Sequence, residues 1–187
     1  MAIKSEIKKL EKQLSLYKSI EKDNARFNKM SKAKKRITIA EDVIASLKIN
    51  KYTATPGSYL EIQTNKDYDS LPGDSQALLC TEEVSCDVCA IGAIFASKVR
   101  KGSKCNYDLL NGDNDSSLIA NLKGIFNEIE LRIIETAFEG EAQSGLVKEA
   151  DEEAAVSWYG KNHPDDADKR LVAIMKNIIK NNGNFIP

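Results

Sequence analysis

Four cysteines are the first side chains to weigh for chemistry, spaced Cys80-x5-Cys86-x2-Cys89-x15-Cys105. A four-thiolate zinc site is usually built from two Cys-x-x-Cys knuckles, and here there is one. On a helix Cys86 and Cys89 would share a face and could reach one metal. Cys89, however, sits among Ala90, Ile91 and Ala93, where a free thiol packs as a small hydrophobe. Buried thiols are therefore expected, with structural zinc the lesser alternative and no cofactor assigned. A redox pair is disfavoured further. A helix N-terminus lowers a thiol pKa, but Glu82, Glu83 and Asp87 act against that.

Other chemistry-bearing patterns have plainer readings beside them. Asp113-x-Asp115-x-Ser117 matches the opening ligands of a calcium loop. Leu118 then stands where Gly is needed and Gly124 where Glu is needed, so the match fails. Asp115 or Ser116 as a helix cap explains the segment better. The single histidine, His163, follows Trp158 and Tyr159, and the three form the densest group of recognition-type side chains. They can stack on a base or anchor a partner, or equally seal the edge of a core. Lys98, Arg100 and Lys101, with Lys104, follow an apolar helix. They read as an anion or nucleotide phosphate site, or as cations that complement the helix dipole. The ligand-binding candidates are thus Lys98, Arg100, Lys101, Trp158, Tyr159 and His163. No catalytic residue and no metal ligand is assigned. Phosphate-loop, nucleophile-elbow and His-Glu-x-x-His signatures are absent.

The elements that must position these residues are mostly helical. The organising stretch is 86–99, which from Val88 to Ala96 carries no charge. It is apolar on every side, so a helix buried by other helices is expected. Ala90, Gly92, Ala93 and Ala96 would let its neighbours approach closely. Residues 3–35 contain no Pro or Gly and read as one long helix. Ile3, Ile7, Leu10, Leu14 and Tyr17 step by four and three along it, an a/d seam of about two heptads. Glu21 and Asn24 break the seam, and Ile20, Phe27 and Met30 resume a stripe in a shifted phase.

Thr38 with Glu41 reads as the capping box of a second helix, 38–48. Residues 58–64 alternate weakly and suggest a short strand, paired with 52–55 in a hairpin; 65–75 reads as a loop. Helices are expected at 118–126 and, capped by Asn127, up to Gly140. A helical turn is expected within 147–158, and a helix over 166–181 whose acidic start suits its dipole.

Of the 187 residues, 42% are hydrophobic and 29% charged, which excludes wholesale disorder. The net charge of −1 hides an asymmetry: residues 1–36 hold 12 Lys/Arg against 4 Asp/Glu, and the remainder 15 against 24. A basic arm joined to an acidic body can meet nucleic acid, or the body of the same or a neighbouring subunit. No apolar run reaches the ~20 residues of a spanning helix. The N-terminus lacks a signal-peptide h-region. A cytoplasmic protein with reduced thiols and no membrane partner is expected.

Two stretches carry a resemblance: Cys89-Ala-Ile-Gly-Ala-Ile-Phe-Ala-Ser97 and Arg170-Leu-Val-Ala-Ile-Met-Lys-Asn-Ile-Ile-Lys-Asn-Asn-Gly-Asn-Phe-Ile-Pro187. With residues 130–139 between them, the chain from Arg36 to Pro187 resembles a family of small proteins encoded by bacteriophages and other mobile elements. The resemblance brings no activity or functional residues. It implies a context in which small accessory proteins counter host defence, by binding a defence protein or sequestering a nucleotide signal.

The expectation is therefore a mainly α protein: a compact helical domain, 37–187, around a buried central helix, with at most a short β-hairpin. A basic helical or coiled-coil arm, 1–36, precedes it and supports a homo-oligomer. The function expected is non-enzymatic binding, as a phage accessory or counter-defence factor that occludes a host protein or sequesters a nucleotide. Nucleic-acid binding through the arm is the alternative, and a thiol- or zinc-dependent enzyme the third reading.

Overall fold

The computed structural model describes residues 2–66, 72–102, 115–142 and 147–187. Among these the chain is mainly helical, with eight helices and three short strands: α1 (Ala2–Asn28), α2 (Lys32–Lys48), β1 (Tyr52–Ala54), β2 (Leu60–Thr64), α3 (Ser75–Cys80), β3 (Val84–Val88), α4 (Ala90–Gly102), α5 (Asp115–Leu122), α6 (Glu128–Glu139), α7 (Glu149–Lys161) and α8 (Ala167–Lys180). Among the described residues no helix is long and apolar enough to cross a membrane.

The central helix is α4, and every residue from Ala90 to Ser97 is buried. Helices α1, α2, α3, α5 and α6 pack around it, while α8 lies on α2 and α6. Gly92 is where α4 meets the sheet. A Cβ there would stand 1.4 Å from the Tyr59 carbonyl oxygen, so only glycine permits this approach. Gly102 does the same at the other end, where a Cβ would lie 2.0 Å from Cδ1 of Phe27 on α1.

The stretch 86–99 is not one helix. Val84, Cys86 and Val88 are buried, and Ser85 and Asp87 between them are part-exposed. That period of two is a strand's. β3 is the middle strand of the sheet, parallel to β1 and antiparallel to β2. Tyr52 and Ile62 both sit opposite Cys86, and Ala54 and Leu60 opposite Val88. Residues 52–54 and 60–64 are thus strands, but β3 stands between them and there is no hairpin. The edge strand β1 is covered in part by Asp168 of α8, whose Oδ1 accepts from the Ala54 amide at 2.7 Å. Helix α3 begins at the end of the segment expected to be loop, where Asp74 accepts from the Gln76 and Ala77 amides.

The helix expected over 3–35 breaks at 29–31. The Ser31 side chain accepts from the Lys34 amide and opens α2 there, so Thr38 is no cap. Thr38 lies inside α2, and its hydroxyl donates to the Met30 sulfur at 3.5 Å. Asn127 caps α6 as expected, accepting from the Glu130 amide, and the helix closes at Gly140. Asp166 caps α8 in the same way. In α6 Leu131, Ile134, Ala137 and Phe138 are buried, whereas Ile129 is 52% exposed. Helix α7 runs the length of a segment expected to hold a single turn.

Candidate functional site

Helix α1 carries three different faces. Leu16 and Asn24 are half-buried, and Ile20 and Phe27 buried, against the body. Ile7, Leu10, Leu14 and Tyr17 are 50%, 64%, 56% and 42% exposed. At 3.6 residues per turn this apolar stripe lies about 100° around the helix from the body-facing one. Lys4, Lys8, Lys12, Lys22 and Arg26 are exposed along a further side of the helix, Lys12 at the edge of a groove shared with Pro72 and Glu83 of the body. Four large apolar side chains on one stripe, open to solvent, differ in kind from scattered exposed hydrophobics.

The register break at Asn24 has a tertiary reason. Its side-chain amide donates to Gln76 Oε1 at 3.1 Å and its oxygen accepts from Gln76 Nε2 at 2.7 Å. Gln76 is fully buried on α3 and also donates to the Arg100 carbonyl at 3.2 Å. α1 meets the body from about Lys12 onward: Lys12, Gln13 and Leu16 line a groove with Pro72, Cys80 and Glu83, and Ile20 and Phe27 are buried on it.

The predicted anion site has its cations neutralised from within. Asp42 of α2, 6% exposed, takes Arg100 on Oδ2 at 3.2 Å and Lys101 on Oδ1 at 2.9 Å. Arg100 also donates to Ser46 and lies over the Tyr52 ring at 5.9 Å. Tyr52 is buried, which raises its phenol pKa, and its oxygen accepts from Ser97 at 3.3 Å. Lys98 is half-buried on the same helix. Beside this network opens a cleft of about 520 Å3, lined among others by Lys51, Thr64, Cys80, Glu83 and Arg100. Lys51 is 8% exposed, and burial and then the Arg100 charge lower its ammonium pKa. Its Nζ donates to the Thr81 and Val84 carbonyls, the second at 2.6 Å. This amine is thereby tied to the chain entering β3.

The thiols are arranged as packing groups. Burial pushes Cys86 and Cys89 up to about 12 and also raises Cys80. Thiols so shifted are protonated at neutral pH and make poor nucleophiles. Cys86 is in β3 and Cys89 follows the strand, so the two do not share a helix face. Among the described residues no group of three or more His, Cys, Asp or Glu is placed to hold a metal ion. Cys105, Lys104 and Asp113 lie outside them.

No family model, no curated protein and no solved structure matches this chain.

Tyr159 and His163 meet Arg170 of α8, which is 2% exposed, while Trp158 packs elsewhere. Arg170 donates to the Phe138 carbonyl at 2.7 Å, the His163 carbonyl at 2.8 Å and the Pro164 carbonyl at 2.6 Å. Its guanidinium lies 4.7 Å from the Tyr159 ring centre and 5.0 Å from that of Phe138. Trp158 meets Phe185 edge-on at 5.4 Å. His163 has φ 55, and Arg170 holds its carbonyl. Its side chain lines a shallow groove with Asp168, Lys169 and Lys176, apart from the cleft at Arg100. These aromatics seal the joint of α6, α7 and α8.

Arg36, assigned by sequence to the basic arm, is a tertiary staple. It pairs with Glu130 at 2.9 Å, donates to the Ile125 carbonyl at 2.7 Å and lies 4.9 Å over Phe126. Glu130 in turn accepts from the Phe185 amide at 3.2 Å, which ties the C-terminal segment to the body. Only the Arg-Ile-Thr-Ile edge of α2, with Arg36 next to its apolar face, hints at this in the sequence.

Proposed function

We propose that this chain is a non-enzymatic binding protein whose binding element is the outer half of α1. It acts by docking that helix on a partner and occluding the partner's surface. One observation carries the reading: Ile7, Leu10, Leu14 and Tyr17 are solvent-exposed on a helix whose later residues Ile20 and Phe27 are buried. An amphipathic helix held out by a rigid body is the usual form of a helix-in-groove or helix-pairing ligand. The site chemistry supports a binding role rather than catalysis. The lysine of the cleft is tied to two carbonyls, and the thiols described have raised pKa values.

The test is affinity capture with the full chain and with a Leu10→Asp, Leu14→Asp variant immobilised. A partner retained by the first and lost by the second supports the reading. An identical set of partners on both contradicts it.

A second reading has its own observation. Lys4, Lys8, Lys12, Lys22 and Arg26 form an exposed cationic row. Such a row binds a nucleic-acid backbone without reading sequence. Affinity for a duplex of arbitrary sequence would then fall steeply with salt, and Lys8→Glu with Lys12→Glu would abolish it. Arg36 does not contribute, since it pairs with Glu130.

A further inference from the structure

We infer that the occupant of the α1 stripe is the same stripe of a second copy of this chain, laid antiparallel. This rests on reading the stripe as a binding surface, and it specifies the partner and its direction.

The direction follows from charge. With Ile7 and Leu14 at heptad positions a, and Ile3, Leu10 and Tyr17 at d, the flanking e positions are Lys4, Glu11 and Lys18. The g positions are Glu6 and Gln13. In a parallel pair each g residue faces the next e residue of its neighbour. Glu6 would then face Glu11 of the second copy, twice over, and like charges in that position repel. In an antiparallel pair e faces e and g faces g. A pair centred between Lys8 and Lys9 puts Ile7 against Leu10 of the second copy, and position 14 against position 3. The same register sets Lys4 against Glu11 of the second copy, twice along one edge, and Glu6 against Gln13 of the second copy along the other. Lys4, Glu6 and Glu11 are exposed, and Gln13, also exposed, stands at the edge of a groove shared with Pro72 and Glu83 of the body.

The body leaves room for it. The stripe lies about 100° around α1 from the face that packs on α3 and α4, and helices packed around a common neighbour need about 60° each. The overlap also ends before Glu21 and Asn24, so the polar residues on the continuing seam stay outside it. Asn24 is already engaged by Gln76. The contact is two-fold and closes on itself, so it gives a dimer and not a fibre.

Sedimentation equilibrium of the full chain tests this with wild type, Glu11→Lys, Lys4→Glu and an equimolar mixture of the two variants. All three proteins should show the same far-UV circular dichroism, since both positions are exposed. Wild type should dimerise with concentration. Each variant alone should dimerise roughly tenfold more weakly or less, because two ion pairs become two like-charge contacts. The mixture should recover the wild-type affinity, because one variant then carries lysine at both positions and meets glutamate at both positions of the other. Tighter dimerisation by Glu11→Lys would show a parallel pair and overturn the proposal. So would a wild type that stays monomeric throughout, or a mixture that does not recover. A monomeric wild type whose captured partner is lost on Leu10→Asp, Leu14→Asp sinks the second copy and leaves the binding helix standing. Capture unaffected by those substitutions sinks the binding helix itself.

Discussion

Asn24 and Gln76 exchange both of their amide hydrogen bonds, at 3.1 and 2.7 Å, across the joint between α1 and α3. Gln76 passes the connection on to the Arg100 carbonyl, and the Arg100 guanidinium passes it to Asp42. One polar chain thus links α1, α3, α4 and α2 beside the core. It ties the second half of α1, from Ile20 to Phe27, to the body.

Gln76→Leu should loosen that joint. The substitution leaves the Asn24 amide and the Arg100 carbonyl without their partner in a part-buried place, which costs about 1–3 kcal/mol. Urea unfolding should show the loss. Amide hydrogen exchange in residues 20–28 should quicken more than in α8; equal protection in both would show that the pair does not hold the joint.

Gly92→Ala should be among the most damaging single-methyl additions in the chain. Its Cβ would fall 1.4 Å from the backbone oxygen of Tyr59, which no side-chain rotation relieves. Overpacking of this kind costs about 1–3 kcal/mol or more. Gly124→Ala is the control, because nothing lies within 4 Å of its Cβ. Thermal unfolding should separate the two variants clearly, and equal melting temperatures would refute the α4–sheet approach described.

Asp42→Asn should destabilise by about 3 kcal/mol, since it leaves Arg100 and Lys101 beside a buried site with no carboxylate. Adding Arg100→Met to Asp42→Asn should return part of that stability, because the uncompensated guanidinium is then gone. A double variant less stable than the single by the full cost of Arg100→Met alone would show that the two residues do not interact.

The thiols should make the fold sensitive to alkali. Burial raises Cys86 and Cys89 from 9.0 to about 12, so the folded state holds protons that the unfolded state releases. Their contribution is fully present below pH 9 and is lost as pH rises towards 12, by up to about 1.4 kcal/mol per pH unit for each thiol. Denaturant midpoints measured across that window should fall, and Cys86→Ala should reduce the slope. At neutral pH a thiol reagent should label Cys86 and Cys89 only as fast as the chain opens; rapid labelling of either would contradict their burial.

Local signals were legible in the sequence and non-local ones were not. Asn127 caps α6 through the amide of Glu130, which the Asn-x-x-Glu spacing reveals, and the acidic start of α8 supplies its cap, Asp166. Ala90, Gly92, Ala93 and Ala96 mark the buried helix α4 for the same reason. β3 was hidden because its alternation of Val84, Cys86 and Val88 runs without a turn residue into the apolar helix, so one period masks the other. The partners of Arg36 and Arg100 lie 94 and 58 residues away, beyond any periodic pattern. That is why two cations read as free belong to ion pairs. The seam of α1 was legible, and so was its break, but only Gln76 explains why the break falls at Asn24.

On the proposed reading, the exposed stripe of α1 is where this protein meets its partner. A photo-crosslinking residue placed at Leu10 tests it most directly, with the same residue at Ile129, another exposed apolar position, as the comparison. A crosslink to a second polypeptide is expected from position 10 and none from position 129. Crosslinking from position 129 alone, or from neither, would contradict it.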